Sequence, residues 1–393
     1  MTGKVTIRSI HLLSDKKFVP WVKNTFTLPG WTCLYILINH RKKKSVEQLK
    51  EDTYEVSTDR YGEQFILDQL ESGDIVFHYF LDNRKADIIA KSPPHLVHCW
   101  CFYGAEIYQQ TSLFRDRLYG PQTRKLLARL PEVRFRYDLR RLYYQYVLFR
   151  KTPIRSLREA IPKVHAILWY VEEEIQWINA KITLPPWKFF QFFQFSDIIP
   201  EGTGIVNTES KSVLLGNSAT VENNHADALQ MLTRVKQKGY TISLPLTYGQ
   251  FKRYKSTIKE LYTESLGESA VFLEDHMELS AYYHFLQQHP TAVFLHYRQQ
   301  ALGNILYMLY VGTKVYLSNQ NVVITWLKNN GVKVFTFEED FVKDIQTLDL
   351  TLTKEVMNIN RRSIEKLLRH DRNAATIQSL EAEVLARQKQ HKK

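Results

Sequence analysis

The chain has 393 residues, 44% of them hydrophobic and 24% charged, which leaves room for a large core, argues for two domains and excludes long disorder. No stretch approaches the roughly 18 consecutive apolar residues of a membrane helix, and the start, Met1-Thr-Gly-Lys-Val-Thr-Ile-Arg8, lacks the apolar centre of a signal peptide. The net charge is +12, and the three cysteines, Cys33, Cys99 and Cys101, supply neither a disulfide framework nor paired zinc spacing, which suits a reducing cytoplasm.

In chain order, apolar runs predict strands at 5–12, 32–38, 74–79, 96–102 and 166–169, with helical periodicity at 18–26, 45–51, 62–71 and through a basic region. Pro185, Pro186 and the alternating run from Lys188 predict a last strand of this half, and Glu201-Gly-Thr-Gly204 marks a crossing between domains. The rhythm then becomes regular. Strands are predicted at 212–215, 240–246, 270–273, 292–296, 314–318 and 333–337, alternating with helices at 225–236, 248–264, 278–288, 301–310 and 322–329. That alternation is the mark of a parallel sheet covered by helices. After Phe341 a helical tail follows, its last residues expected to fray. The expected division is 1–200, 201–345 and a tail over 346–393.

The charge is concentrated. Twelve Lys and Arg between Arg124 and Lys163 face only Glu132, Asp138 and Glu159, a local net charge of +9, with Leu, Phe and Tyr interleaved. Such a mixture suits an anionic membrane surface, and Arg140, Arg141, Arg150 and Lys151 are its candidate contacts. A solvated face on ordinary core helices is the alternative. Nucleic acid is disfavoured, because no recognition motif accompanies the charge.

Ligands of open α/β sheets sit at the carboxyl ends of strands, so polar residues there are the candidates for chemistry. In the second half these are Gly216-Asn217-Ser218, then Pro245, Tyr248 and Gly249, then Arg298-Gln299-Gln300 before the helix that contains Gly303 and Asn304. An arginine beside a helix N-terminus can neutralise a leaving diphosphate, and a tyrosine can stack on a base. Gly-Asn-Ser is also an ordinary turn, and Glu278 is either a ligand or a helix cap. In the first half, His78 and Glu106 follow strands and can serve as a base, with His11 and Asp15 weaker candidates. No Asp-x-Asp occurs anywhere. That absence removes a common divalent-ion motif and leaves cationic side chains and helix dipoles to stabilise a leaving group.

Seven patches occur in register with a known family. They are Ile10-His-Leu-Leu-Ser-Asp15; Phe77-His78; Trp100 with Gly104-Ala-Glu-Ile-Tyr108; Leu215-Gly-Asn-Ser218 with Asn224-His225; Pro245-x-x-Tyr-Gly249; Glu278-x-x-Ala-Tyr282; and Arg298-Gln-Gln-x-x-Gly303. Together, across most of residues 5–340, the chain resembles the TDP-N-acetylfucosamine:lipid II N-acetylfucosaminyltransferases of enterobacterial common antigen synthesis. The resemblance implies a GT-B fold, two doubly wound Rossmann-like domains facing a central cleft. It also implies a dTDP-sugar donor and a polyprenyl-diphosphate-linked glycan acceptor at the cytoplasmic face of a bacterial inner membrane, with no cofactor. The donor side then falls on Gly216, Asn217, Ser218, Tyr248, Gly249, Glu278, Tyr282, Arg298, Gln299, Gln300 and Gly303, and Asn304, the next residue of the same group, is a further donor-binding candidate. His78 and Glu106 fall on the acceptor or catalytic side, with Arg298 assisting the chemistry. Two departures stand out: Glu106 replaces an aspartate of the family pattern, and Ala301 replaces a glycine. A metal-independent glycosyltransferase is therefore expected, and a catalytically silent scaffold of the same fold is the alternative.

Overall fold

The computed structural model describes residues 6–114, 117–147, 151–249 and 251–391. The expectations that bear on Val5, Arg150 and the final two residues lie outside those limits. The chain divides into two compact units, each discontinuous in sequence: residues 1–113, 137–192 and 371–393 form the first, and 114–136 with 193–370 the second.

The first unit is built on eight strands: β1 Ile7–Leu13, β2 Trp31–Asn39, β3 Val46–Lys50, β4 Thr53–Ser57, β5 Ile75–Tyr79, β6 Val97–Cys101, β7 Val164–Trp169 and β8 Trp187–Phe189. Their order is β3-β4-β2-β1-β5-β6-β7-β8, and every pair is parallel except β3–β4. Strand order therefore reverses between β1 and β5. One face of the sheet packs Phe26, Phe77, Cys99 and Leu168 under the helix Ala374–His391, which contributes Leu380 and Val384. The other face packs Ile10, Ile36, Val76 and Ile88.

The expected helix at 45–51 is corrected to the edge strand β3. Val46-Glu-Gln-Leu-Lys50 contains good helix formers, but Val46 pairs with Val56 and Gln48 with Tyr54 across an antiparallel turn. Non-local pairing overrode local propensity, and the exposed Glu47 and Lys50 leave a charged edge. The strand expected from Lys188 is also shorter than its alternation suggested, ending at Phe189 before the helix Phe195–Ile198 begins.

Among the described residues the second unit holds six strands: β9 Ser212–Leu215, β10 Thr241–Pro245, β11 Ala270–Leu273, β12 Thr291–Phe294, β13 Lys314–Leu317 and β14 Phe335–Thr336. They form one parallel sheet ordered β11-β10-β9-β12-β13-β14. Every residue of β9, β12 and β13 is buried, as expected of a parallel sheet covered on both faces. Strand order reverses between β9 and β12. The loops that follow those two strands therefore meet at the crevice where doubly wound sheets bind ligands.

The basic segment is divided between the two units. Residues 124–136 belong to the second unit and 137–163 to the first. Leu127, Leu130 and Val133 are core residues of the second unit. The tie is chemical: the Asp227 carboxylate accepts from the Gln122 and Thr123 amides at 2.8 and 3.0 Å and from the Thr123 hydroxyl at 2.6 Å. It thereby caps the helix Pro121–Ala128 from the neighbouring helix His225–Lys236.

Candidate functional site

At the reversal in the second unit, the chain leaves β9 at Gly216 with φ +67°. A Cβ there would lie 2.4 Å from Asn223 Oδ1, so a side chain is excluded by both sterics and conformation. The same oxygen accepts the Asn217 amide at 3.0 Å and meets His296 Nε2 at 2.9 Å. Asn223 Nδ2 donates to Thr220 Oγ1 at 2.8 Å and to Ser218 Oγ at 3.1 Å. Burial holds His296 well below the usual histidine range, so it is neutral and its Nε2–H donates to Asn223. This network lies beneath the loop and sets its shape.

Above it, Asn217 Nδ2 donates to the Tyr248 hydroxyl at 2.7 Å, and Gln300 Nε2 reaches Asn217 Oδ1 at 3.3 Å and Thr220 Oγ1 at 3.0 Å. The loops after β9, β10 and β12 are thus joined by side-chain amides. Gly249 is held because a Cβ would come within 2.7 Å of the Ala219 carbonyl oxygen. Asn304 Nδ2 donates to the Tyr282 hydroxyl at 2.8 Å. Asn217, Pro245, Tyr248, Met277, Tyr282 and Asn304 line a cavity of about 340 Å³. Two tyrosine rings and two amides make a slot that can stack a base and bond to its edges or to sugar hydroxyls.

The helix Leu302–Val311 starts at Ala301, whose φ is +56°, and carries no side-chain cap. Its first amides are therefore available to an anion. Arg298 precedes it, with Nη1 donating to the Gln299 carbonyl at 2.9 Å. Gly303 lies in the first turn. Glu278 precedes the helix Leu279–Gln287, is exposed, and makes no capping hydrogen bond. Its role as a cap is not realised. Ser218, read as a possible ligand, is fully buried in the supporting network. Sequence reasoning missed Asn223 and His296. The one available signal was a histidine just after a strand, on the same footing as His78.

In the first unit, Gly104 with φ +94° turns the chain from β6 into the helix Ala105–Tyr108. Glu106 Oε1 accepts from Trp100 Nε1 and from the Tyr103 amide, each at 3.0 Å, while Oε2 is buried without a partner among the described residues. Burial pushes this carboxyl up to about 7. Glu106 lines a second cavity, together with Phe80 and Asp82 after β5 and with Arg140, Arg141 and Pro153.

His78 is placed differently. It is fully buried within β5, with Nε2 3.0 Å from His98 Nδ1, and His98 Nε2 in turn is 2.9 Å from Ser92 Oγ. Burial and His98 hold it well below the usual range. It is not among the residues lining the cavity with Glu106. His11 is a core residue stacked on Phe77 and Tyr35, bonded to Tyr79 and Ser9. Asp15 caps a short turn through the Lys17 amide at 3.0 Å.

Of the four proposed membrane contacts, Arg140 and Arg141 line the Glu106 cavity, Lys151 is ion-paired with Glu159, and Arg150 lies outside the described residues. Exposed apolar side chains accompany them. Leu139 (61%), Leu142, Tyr143, Tyr146 (62%) and Val147 (59%) stand in solvent at i, i+3, i+4, i+7 and i+8. Among the described residues no helix is long and apolar enough to cross a membrane, and no three His, Cys, Asp or Glu gather as metal ligands.

Comparison with known proteins gives a family and a fold. A family model described as 4-alpha-L-fucosyltransferase, glycosyl transferase group 56, matches residues 157–367. That span contains every donor-side candidate and stops short of His78 and Glu106. The fold is similar to the N-terminal domain of Candida albicans trehalose-6-phosphate phosphatase, with TM-score 0.63, 9% identity and 98% of each chain covered. It is also similar to an α,α-trehalose-phosphate synthase from Burkholderia vietnamiensis, with TM-score 0.61, 8% identity, and 97% of this chain and 100% of that one covered. Sucrose-phosphate synthase from Thermosynechococcus elongatus gives TM-score 0.58, 9% identity, and 97% and 99% coverage. At such identities the likeness speaks for the fold alone, and that fold is GT-B.

Proposed function

The chain belongs to the 4-alpha-L-fucosyltransferase family, glycosyl transferase group 56, and from that premise we propose how its own residues carry the transfer of a 4-acetamido-fucose-like deoxy-aminohexose from a dTDP-sugar to a polyprenyl-diphosphate-linked glycan. The observation that carries the reading is the meeting of the β9, β10 and β12 loops around a tyrosine-lined cavity beside an uncapped helix N-terminus. Tyr248 and Tyr282 hold the nucleoside, with Asn217 and Asn304 orienting their hydroxyls. Arg298 and the amides that open Leu302–Val311 receive the diphosphate, aided by Gln299 and Gln300. Glu278 and Gly303 flank the same loops on the donor side.

Glu106 is the base. Its carboxylate takes the proton of the acceptor hydroxyl as that oxygen attacks the anomeric carbon. The bond from that carbon to the donor phosphate breaks, and dTDP departs with the electron pair. The negative charge that develops on dTDP falls to Arg298 and the helix dipole, so no divalent ion is required. His78, walled into the sheet, acts at most on the shape of β5. A buried carboxyl with an unpartnered oxygen favours an enzyme over a silent scaffold of this fold.

The lipid-linked acceptor brings the enzyme to the membrane. The exposed stripe from Leu139 to Val147 suits the interface of a bilayer, where apolar side chains enter below the headgroups. The protein then works as a peripheral enzyme at the cytoplasmic face of the inner membrane.

Turnover of a dTDP-sugar by Arg298→Ala tests the donor assignment. A loss of about 2 kcal/mol or more in transition-state stabilisation is expected, the size of one charge-assisted contact to a developing anion. Near-wild-type turnover by the folded variant would remove Arg298 from the site.

A further inference from the structure

The cavity of the first unit is lined by more positive charge than a base needs. Arg140 and Arg141 stand on its wall, on the helix Arg136–Leu142. A third feature points the same way: Thr152, Pro153 and Ile154, the opening of the helix Pro153–Ala160, also line it. That helix has eight residues, carries proline in its first turn and has no side-chain cap, so its N-terminal dipole is uncompensated toward the cavity. The helix Asn83–Lys91 also opens here, but its amides are taken by Asp82, which accepts from the Arg84 and Lys85 amides at 3.0 Å. The acidic groups on the wall are therefore Asp82, engaged in its own helix, and Glu106, 5% exposed with Oε2 unpartnered among the described residues. Two guanidinium groups and one open helix end around a buried carboxyl describe a site for a doubly charged anion, with a hydroxyl-bearing group next to it.

We propose that Arg140, Arg141 and the N-terminus of Pro153–Ala160 bind the diphosphate of the acceptor, so that the acceptor is held by its phosphates beside Glu106. This rests on the reading of the acceptor given above and assigns the arginines a substrate instead of the lipid headgroups that composition suggested. The position of the exposed apolar stripe supports it. Leu139 and Leu142 flank Arg140 and Arg141 on the same helix. A polyprenyl diphosphate has its charged group at the level where such a stripe enters the bilayer, so one helix can meet both the tail's surroundings and the phosphates.

Arg140→Gln/Arg141→Gln provides the test, with inorganic pyrophosphate and a short-chain, water-soluble prenyl-diphosphate-linked acceptor as probes. Pyrophosphate titrated calorimetrically into wild type already saturated with dTDP, which occupies the donor side, should bind, and the variant treated alike should bind at least tenfold more weakly. Because this reading does not depend on turnover, it tests the anion site even if the donor or acceptor has been misassigned. In steady-state assays without any membrane, KM for the soluble acceptor should rise tenfold or more while KM for the dTDP-sugar stays within twofold. Arg140→Lys/Arg141→Lys should recover part of the loss. A rise in donor KM alone would give the arginines to the donor and overturn the proposal. Unchanged pyrophosphate binding, or a defect seen only with vesicles, would overturn it in favour of headgroup contacts.

Discussion

Burial acts in opposite directions on the two groups that stood as candidate bases. It lowers the tendency of His78 to take a proton and raises that of Glu106. With the Glu106 carboxyl at about 7, kcat/KM should climb through that pH as the carboxylate forms. Glu106→Gln keeps the shape and both bonds to Oε1, so turnover should fall about 100-fold with donor affinity little changed. A pH–rate profile without an inflection near neutrality, or full activity in the variant, would take the role away. The same shift has a stability sign. A carboxyl raised from 4.5 to about 7 contributes stability that is present below its unfolded value and lost as pH rises through the folded one. The melting temperature of wild type relative to Glu106→Gln should therefore drop between pH 5 and pH 8. Ala301 offers an independent check of backbone strain. At φ +56° it occupies a conformation that glycine adopts freely, so Ala301→Gly should be stabilising by roughly 0.5–1 kcal/mol in urea unfolding.

The elements of the second unit were legible because burial and periodicity agreed. β9 and β11 begin and end where their apolar runs do, and the helix His225–Lys236 matches its period. Edge strand β3 was not legible, since Glu, Gln, Leu and Lys favour a helix until a partner strand is present. The loops proposed for the donor could be singled out from their position after strands. Their supporting layer, Asn223 and His296, could not, because polar groups buried under a loop leave no pattern in the chain. The basic helices show the same limit: composition pointed to a surface, yet the structure makes Leu127 and Val133 core and leaves Leu139, Tyr146 and Val147 in solvent. Membrane affinity should therefore depend on the apolar stripe. Leu139→Glu/Tyr146→Glu/Val147→Glu should lose at least tenfold in sedimentation with anionic vesicles, including the part that survives high salt. Retention of salt-resistant binding would place the docking surface elsewhere. dTDP affinity should not change, because the loops proposed for the donor belong to the other unit.

For the molecule as a whole, activity should persist after EDTA treatment and exhaustive dialysis, since leaving-group charge is assigned to Arg298 and a helix end. Loss of activity, with return on adding magnesium or manganese, would overturn that picture. The path of the chain makes a second expectation. Residues 371–393 return to the first unit, where Leu380 and Val384 are buried, Trp31 Nε1 donates to Glu381 at 2.6 Å, and the Thr376 hydroxyl donates to the Phe189 carbonyl at 2.5 Å. Removing everything after His370 strips two core side chains worth roughly 1.5–3 kcal/mol each. The first unit should then melt early or stay open, while the second keeps a cooperative transition that dTDP raises.

That return also decides the order in which the protein can be made. On the ribosome, strands β1 to β8 emerge before any strand of the second unit, but the helix that covers one face of their sheet, Ala374–His391, follows all the strands of that unit. Until then Phe77, Cys99 and Leu168 lack their lid, whereas the second unit has all its strands once Thr336 is out. The unit whose strands come earlier is thus the one completed later, and a nascent chain stalled just before Ala374 should present the earlier sheet to chaperones while the second unit is already protected from protease.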